Sequence, residues 1–250
     1  TRARFAAEVA ASGGHHLLLI GPPGAGKTMI AARLPTILPA LGIDQALEVT
    51  AVHSIAGSLG TRSPMSLVAP IVSPHHSASR VAMVGGGSHA IKPGACSLAH
   101  HGVLFIDEAP ECAVGVLDSL RQPLESGTIT IARSVGSITF PAQFLLVLAA
   151  NPCPCGKFTG KGRACICSSL AVRRYLGKLS GPLMDRIDMR VQVEPVSRTE
   201  MAQTELGESS AVIRERVVAA RATAEERFAN ESWKLNSQIP SRALRTTYKP

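Results

Sequence analysis

Gly21-Pro22-Pro23-Gly24-Ala25-Gly26-Lys27-Thr28 fits the phosphate-binding pattern GxxxxGK[ST] at every fixed position, and the apolar run Leu17-Leu18-Leu19-Ile20 leads directly into it. A β,γ-phosphate pair needs several backbone N–H groups aimed inward, which a loop with positive φ angles permits; Gly24 and Gly26 supply that freedom. Lys27 adds a point charge. The hydroxyl of Thr28 suits a Mg²⁺ ion, and a helix beginning here turns its positive end toward the anion. A plain Gly-Pro turn would also carry these glycines, but not the Lys-Thr pair after the preceding strand signature.

A second apolar run, Val103-Leu104-Phe105-Ile106, ends in Asp107-Glu108. Acids at the carboxyl end of a buried strand sit where open parallel α/β sheets bind ligands. Asp107 can hold Mg²⁺ through water while Glu108 polarises the water that attacks a γ-phosphate, and a Glu beside the Asp favours hydrolysis. Asn151 follows the run Leu148-Ala149-Ala150, where its amide could orient that water; as a lone residue it would read as a strand-ending turn. Arg186, in Leu183-Met184-Asp185-Arg186-Ile187-Asp188, is free to stabilise charge on the γ-phosphate of a neighbouring subunit, which requires a ring.

Cys153-Pro154-Cys155 and Cys165-Ile166-Cys167 form two close pairs separated by a short loop and can converge on one tetrahedral Zn²⁺. The spacing is tighter than in the usual CxxC pairs, so redox-sensitive or packed thiols are the alternatives. Lys157, Lys161 and Arg163 lie in the loop such a knuckle would fold. Cys96 and Cys112 read as packing residues. The pairs His15-His16, His75-His76 and His100-His101 read as non-ligating, on the expectation that adjacent side chains diverge.

These groups need a scaffold, and the chain has the material for one. It has 250 residues, 45% of them hydrophobic, enough to bury a full core plus a smaller unit. Aromatic residues make up only 4%, which argues against stacked bases as the main contact with nucleic acid and leaves phosphate electrostatics. Net charge is +8, and between Asn151 and Arg198 nine Lys/Arg face only Asp185, Asp188 and Glu194, so the excess is local and the expected partner is an anion. With no bilayer-length apolar run and no leader-like start, a soluble cytoplasmic protein is expected, and both ends read as cut from a longer one.

The periodicity predicts a helix over 2–11, a strand over 15–20, and a helix from Lys27 to about Leu34 stopped by Pro35 and Pro39. A region difficult to read runs from Ile43 to Gly102. A helix over 114–124, a hairpin turning at 134–136, strands over 144–149 and 189–193, and helices from 197 to 228 follow. Strands separated by helices imply an α/β fold with a parallel sheet under helical cover.

Beyond the phosphate loop, the segments SPHHSAS at 73–79, VGGG at 84–87, LAHHGVLFIDE at 98–108, NPCPCG at 151–156 and LSGPLMDRIDM at 179–189 make the chain resemble AAA+ ATPases of the magnesium-chelatase-like branch, most closely the competence protein ComM (YifB) group. The resemblance covers nearly the whole chain. It implies an AAA+ core over 1–196 with an insertion at about 54–97, a hairpin at 127–140 and the cysteine cluster at 153–167, followed over 197–250 by the start of a truncated helical lid. It also implies that Gly21 to Thr28 bind ATP, that Thr28 and Asp107 bind Mg²⁺, that Asp107 and Glu108 form the Walker B pair, that Asn151 is sensor 1 and that Arg186 is the arginine finger. The expected assembly is a hexameric ring whose insertion and hairpin face the pore, moving along DNA during recombination. Relatives carry basic and aromatic residues just before Pro-His-His, whereas Ala69-Pro70-Ile71-Val72 stand here. The competing class is a chelatase I-subunit-like ATPase that remodels a metal-insertion complex. Such subunits place Asn-Pro-Glu-Glu-Gly where this chain has Asn-Pro-Cys-Pro-Cys-Gly. A nucleotide-binding scaffold without turnover is a third class, against which Glu108 argues.

Overall fold

A computed structural model describes residues 2–59, 65–87, 90–133, 136–158, 164–195 and 207–248. Lys161, Arg163, Arg198, Ser134 and parts of the 54–97 segment lie outside the described residues.

In chain order the strands are β1 (Leu17–Ile20), β2 (Ile71–Val72), β3 (Gly85–Gly86), β4 (Lys92–Pro93), β5 (Val103–Ile106), β6 (Thr128–Arg133), β7 (Gly136–Pro141), β8 (Leu145–Ala150) and β9 (Met189–Gln192). Five of them form one sheet in the order β2-β5-β8-β1-β9, and every pairing in it is parallel. Parallel neighbours need crossovers, so helices must cover both faces.

The period of two decides which side chain faces which layer. Leu17 and Leu19 of β1, Val103 and Phe105 of β5, and Val147 and Ala149 of β8 enter one core. It is closed by the helices Arg2–Gly13, Lys27–Ile37 and Ser210–Arg227 through residues such as Ala6, Leu34 and Val217. Leu18, Leu104, Ile106, Leu146 and Leu148 enter the other core, where Cys96, Leu117 and Leu183 meet them. All six residues of β8 are buried. At ~1.5–3 kcal/mol for each large side chain withdrawn from water, this central strand anchors the sheet.

Three local expectations change. The helix from Lys27 runs through Pro35 to Ile37. So close to the helix end the missing N–H removes one bond, and Leu34 and Ile37, both buried, hold the last turn against the core. Residues 114–124 form two short helices, Val114–Asp118 and Arg121–Ser126, in place of one. Most consequentially, Ile71–Val72, inside the segment read as an insertion, is the edge strand of the main sheet. Two residues after Pro70 are too few for a periodic signal. The readable gap also contains a 14-residue helix, Ile43–Ala56, ended by Gly57 at φ 73°.

β6 and β7 pair antiparallel beside the sheet, pinned at their base by buried Ile129 and Phe140 and exposed further out. β3 and β4 also pair antiparallel, and Arg133 of β6 donates to the Gly87 carbonyl at 2.8 Å, which cross-braces the two ribbons. Among the described residues no helix is long and apolar enough to cross a membrane.

Candidate functional site

Because all five strands run the same way, their carboxyl ends lie along one edge, and each releases its chain there. The phosphate-loop residues 21–28 leave β1, Asp107-Glu108 leave β5, and Asn151 leaves β8. The register of Ile20 with Ala150 and of Ile106 with Leu148 brings the three exits level.

Gly24 and Gly26 have φ values of 76° and 87°, the left-handed region that the inward-facing N–H groups demand. Space around both is open, so conformation rather than crowding selects glycine there. Gly21 differs: a Cβ would fall 2.2 Å from the Val193 carbonyl oxygen, which ties the loop entrance to the end of β9.

Lys27 is 8% exposed and its ammonium is folded into the loop it belongs to. Its Nζ donates to the carbonyls of Gly21 at 2.6 Å and Pro22 at 3.0 Å and to Asn151 Oδ1 at 3.1 Å. Burial pulls its pKa below the usual lysine value, partly offset by Asp107 and Glu108. Thr28 Oγ1 donates to Asp107 Oδ2 at 2.8 Å, while Asp107 Oδ1 accepts the Glu108 N–H at 2.9 Å. The structure thus brings Lys27, Thr28, Asp107 and Asn151 into one hydrogen-bonded group. A hydroxyl against a carboxylate at this distance is a donor set for a hard cation with oxygen ligands. Pro22, Pro23 and Ala25 complete the loop backbone.

Glu108 has φ 50° and ψ 42°, a left-handed conformation unusual for a non-glycine residue and found where surroundings impose it. Its Oε2 lies 3.4 Å from His76 Nδ1, a partner the sequence reading did not single out. Tyr175 was also missed. Its phenol is buried beside Glu111, Glu108 and the Asn151 backbone, and burial first, then these acids, pushes its pKa up to about 12, so it remains a donor at any physiological pH. The signal available for Tyr175 was only that of an apolar helix face. Beside the loop, Ile20, Pro22, Pro152, Phe158, Leu176 and Val193 line an apolar cavity of about 590 Å³, within the range of small-molecule sites.

Arg186 stands apart from this group. It donates to the Pro182 carbonyl at 2.7 Å and pairs with Glu125, and its side chain is 23% exposed.

The cysteines do converge. Cys153 Sγ is 3.4 Å from Cys155 Sγ and 3.6 Å from Cys165 Sγ, those two are 3.7 Å apart, and all four sulfurs including Cys167 lie within 4.8 Å of one another. A tetrahedral ion with Zn–S bonds of ~2.3 Å would hold sulfurs ~3.8 Å apart, so the set fits a Zn²⁺ with small adjustment. Backbone N–H groups of Lys157 and Ile166 bring the Cys155 thiol down to about 6. Cys153 is fully buried, and the turn it starts closes with Gly156 N–H on its carbonyl at 2.9 Å. Gly156 then rests on the phosphate loop: a Cβ there would lie 2.6 Å from Pro23 Cδ. Cys96 and Cys112 are buried, with burial pushing the Cys96 thiol up to about 12.

The expectation that neighbouring histidines diverge is corrected. The His100 and His101 rings stack at 3.8 Å, and both Nε2 atoms reach Glu48 Oε2, at 3.1 and 2.7 Å. His101 has φ 55°, which turns its side chain back toward its neighbour. This is still no metal site. His100 Nδ1 accepts the Gln143 N–H at 3.1 Å, so the ring proton of the neutral imidazole sits on Nε2 and is donated to Glu48.

A description as magnesium chelatase, subunit ChlI, matches residues 1–201, and that of the ChlI C-terminal region matches 207–250. Rv2897c of Mycobacterium tuberculosis is 49% identical over 250 residues, covering 100% of this chain and 49% of that protein. YifB of Escherichia coli is 45% identical over 239 residues, 95% of this chain and 46% of that protein. Competence protein ComM of Haemophilus influenzae is 44% identical over 238 residues, 94% of this chain and 46% of that protein. The chain spans about half the length of the curated relatives it matches.

Proposed function

The chain belongs to the magnesium-chelatase ChlI family of AAA+ proteins, in its ComM and YifB group, and from that premise we propose that it binds and hydrolyses ATP and couples hydrolysis to movement on DNA. One observation carries the nucleotide half: Lys27, Thr28, Asp107 and Asn151 meet at the ends of three adjacent parallel strands, within 3.1 Å of their partners.

Lys27 exchanges the carbonyls of Gly21 and Pro22 for phosphate oxygens, a short movement because the ammonium already lies inside the loop. The backbone of residues 21–28 cradles the phosphates, and the apolar cavity beside Pro22 takes the base. Thr28 and Asp107 hold Mg²⁺, whose bound charge offsets that of the phosphates. Glu108 polarises the attacking water, and Asn151, released by Lys27, orients it. Arg186 serves a neighbouring subunit in a ring, here proposed as a hexamer, after giving up Glu125. Cys153, Cys155, Cys165 and Cys167 hold a structural Zn²⁺. The 1–196 core and the lid start at 197–250 are the units that would close on the nucleotide.

The DNA half rests on the local basic excess after Asn151, with Lys157, Arg173, Arg174 and Arg190 all exposed, and on the ribbon β6–β7 that stands out from the sheet. ATP turnover measured with and without single-stranded DNA tests both halves. Hydrolysis accelerated by DNA is the expected result; hydrolysis indifferent to DNA but raised by a chelatase-type partner complex would move the chain to the other class.

A further inference from the structure

Turnover by Glu108 depends on where its carboxylate points, and its backbone does not fix this. The left-handed φ directs the Cα–Cβ bond, the N–H is spent on Asp107, and the carbonyl accepts from the Glu111 N–H at 2.7 Å, but the side chain is 48% exposed. Among the described residues its carboxylate has one polar partner, His76.

That meeting is dictated by the sheet. β2 lies beside β5 with Val72 opposite Leu104. Counting four residues onward from each member of the pair arrives at His76 and at Glu108, so parallel strands deliver the two side chains to the same height. Pro74 biases Ser73 to the extended conformation that continues β2 in this direction. The histidine is also held on its own side. Ala78 N–H bonds the His75 carbonyl at 2.9 Å in a tight turn, His75 Nδ1 accepts the Ser77 N–H at 3.3 Å, and the His76 ring packs on the His75 ring with centroids 4.1 Å apart. Ser79 then caps the helix Arg80–Val84 by accepting the Ala82 N–H at 3.2 Å. A side chain seated between a turn and a ring is a fixed point; a long flexible one on an open surface would not be.

We propose that His76 is a positioning residue for Glu108, donating from Nδ1 to Oε2 and holding the carboxylate in the orientation that polarises water. This rests on the reading of Glu108 as the hydrolytic acid and deepens it. It explains why an exposed histidine pair follows a two-residue edge strand that otherwise contributes little to the sheet.

The test is steady-state hydrolysis and nucleotide affinity of the full chain for the parent, His76→Ala, His76→Asn and Glu108→Gln. His76→Ala should lower kcat about tenfold, since a misplaced catalytic group is costly, with ATP affinity within about twofold of the parent. His76→Asn, whose amide N–H can reach the same oxygen, should recover most of the rate. In the Glu108→Gln background, His76→Ala should add nothing further. A kcat unchanged by His76→Ala, or a fall matched by lost affinity, overturns the proposal while an inactive Glu108→Gln leaves the hydrolytic reading standing. A fully active Glu108→Gln removes that reading, and the proposal with it. Unchanged melting temperatures for both His76 variants exclude misfolding as the cause.

Discussion

The phosphate cradle and the cysteine knuckle touch each other, yet they are constructed on opposite terms. The cradle is mostly backbone, delivered to its place by three parallel strands whose side chains fill both cores, so its reactive side chains hang on a frame they do not support. The knuckle is a loop whose only interior is its own sulfurs, with Cys153 buried and the other three part-exposed. In the first region chemistry can be removed without loss of form. In the second, chemistry and form are one.

Three substitutions would break or sharpen that contrast. The largest effect on activity is expected from Lys27→Ala, which should cut both basal and DNA-stimulated hydrolysis by at least about a hundredfold while the melting temperature changes little, because the ammonium contributes charge rather than packing. A large fall in melting temperature would show that the cradle depends on its side chains after all. Next is Cys153→Ala, for which zinc content measured on protein purified without chelator should fall from about one per chain toward zero. Stability should fall by about 3 kcal/mol, or roughly 6–12 °C in Tm. Metal-free parent protein with the same Tm as the variant would remove the knuckle as a structural element. The smallest effect belongs to Glu125→Ala. An exposed ion pair is worth at most about 1 kcal/mol, so unfolding should scarcely shift. If Arg186 works across a subunit boundary, its release from Glu125 should leave turnover equal or slightly raised; a drop would assign the pair a holding role within one chain.

Much of the cradle could be read directly from the sequence, because its parts are local. A strand, a glycine-bearing loop and the first turn of a helix occupy consecutive residues, and so do Ile106, Asp107 and Glu108. The four cysteines were legible for the same reason, since their spacing alone allows convergence. What escaped was set by partners distant in the chain. Glu48 meets His100 across 52 positions, and no pattern near either announces it. β2 escaped because two residues carry no periodicity, and with it went the chance of seeing that His76 lies opposite Glu108. Pro35 misled in the other direction: its helix-stopping tendency was real but weaker than the burial of Leu34 and Ile37.

The contact of Gly156 with Pro23 carries one more consequence. Two binding events that press on the same pair of atoms are thermodynamically reciprocal. If filling the sulfur cage tightens the grip on nucleotide by some factor, nucleotide must tighten the grip on the ion by that same factor. Chelator resistance measured with saturating nucleotide and nucleotide affinity measured with the ion stripped would then be two readings of a single coupling constant.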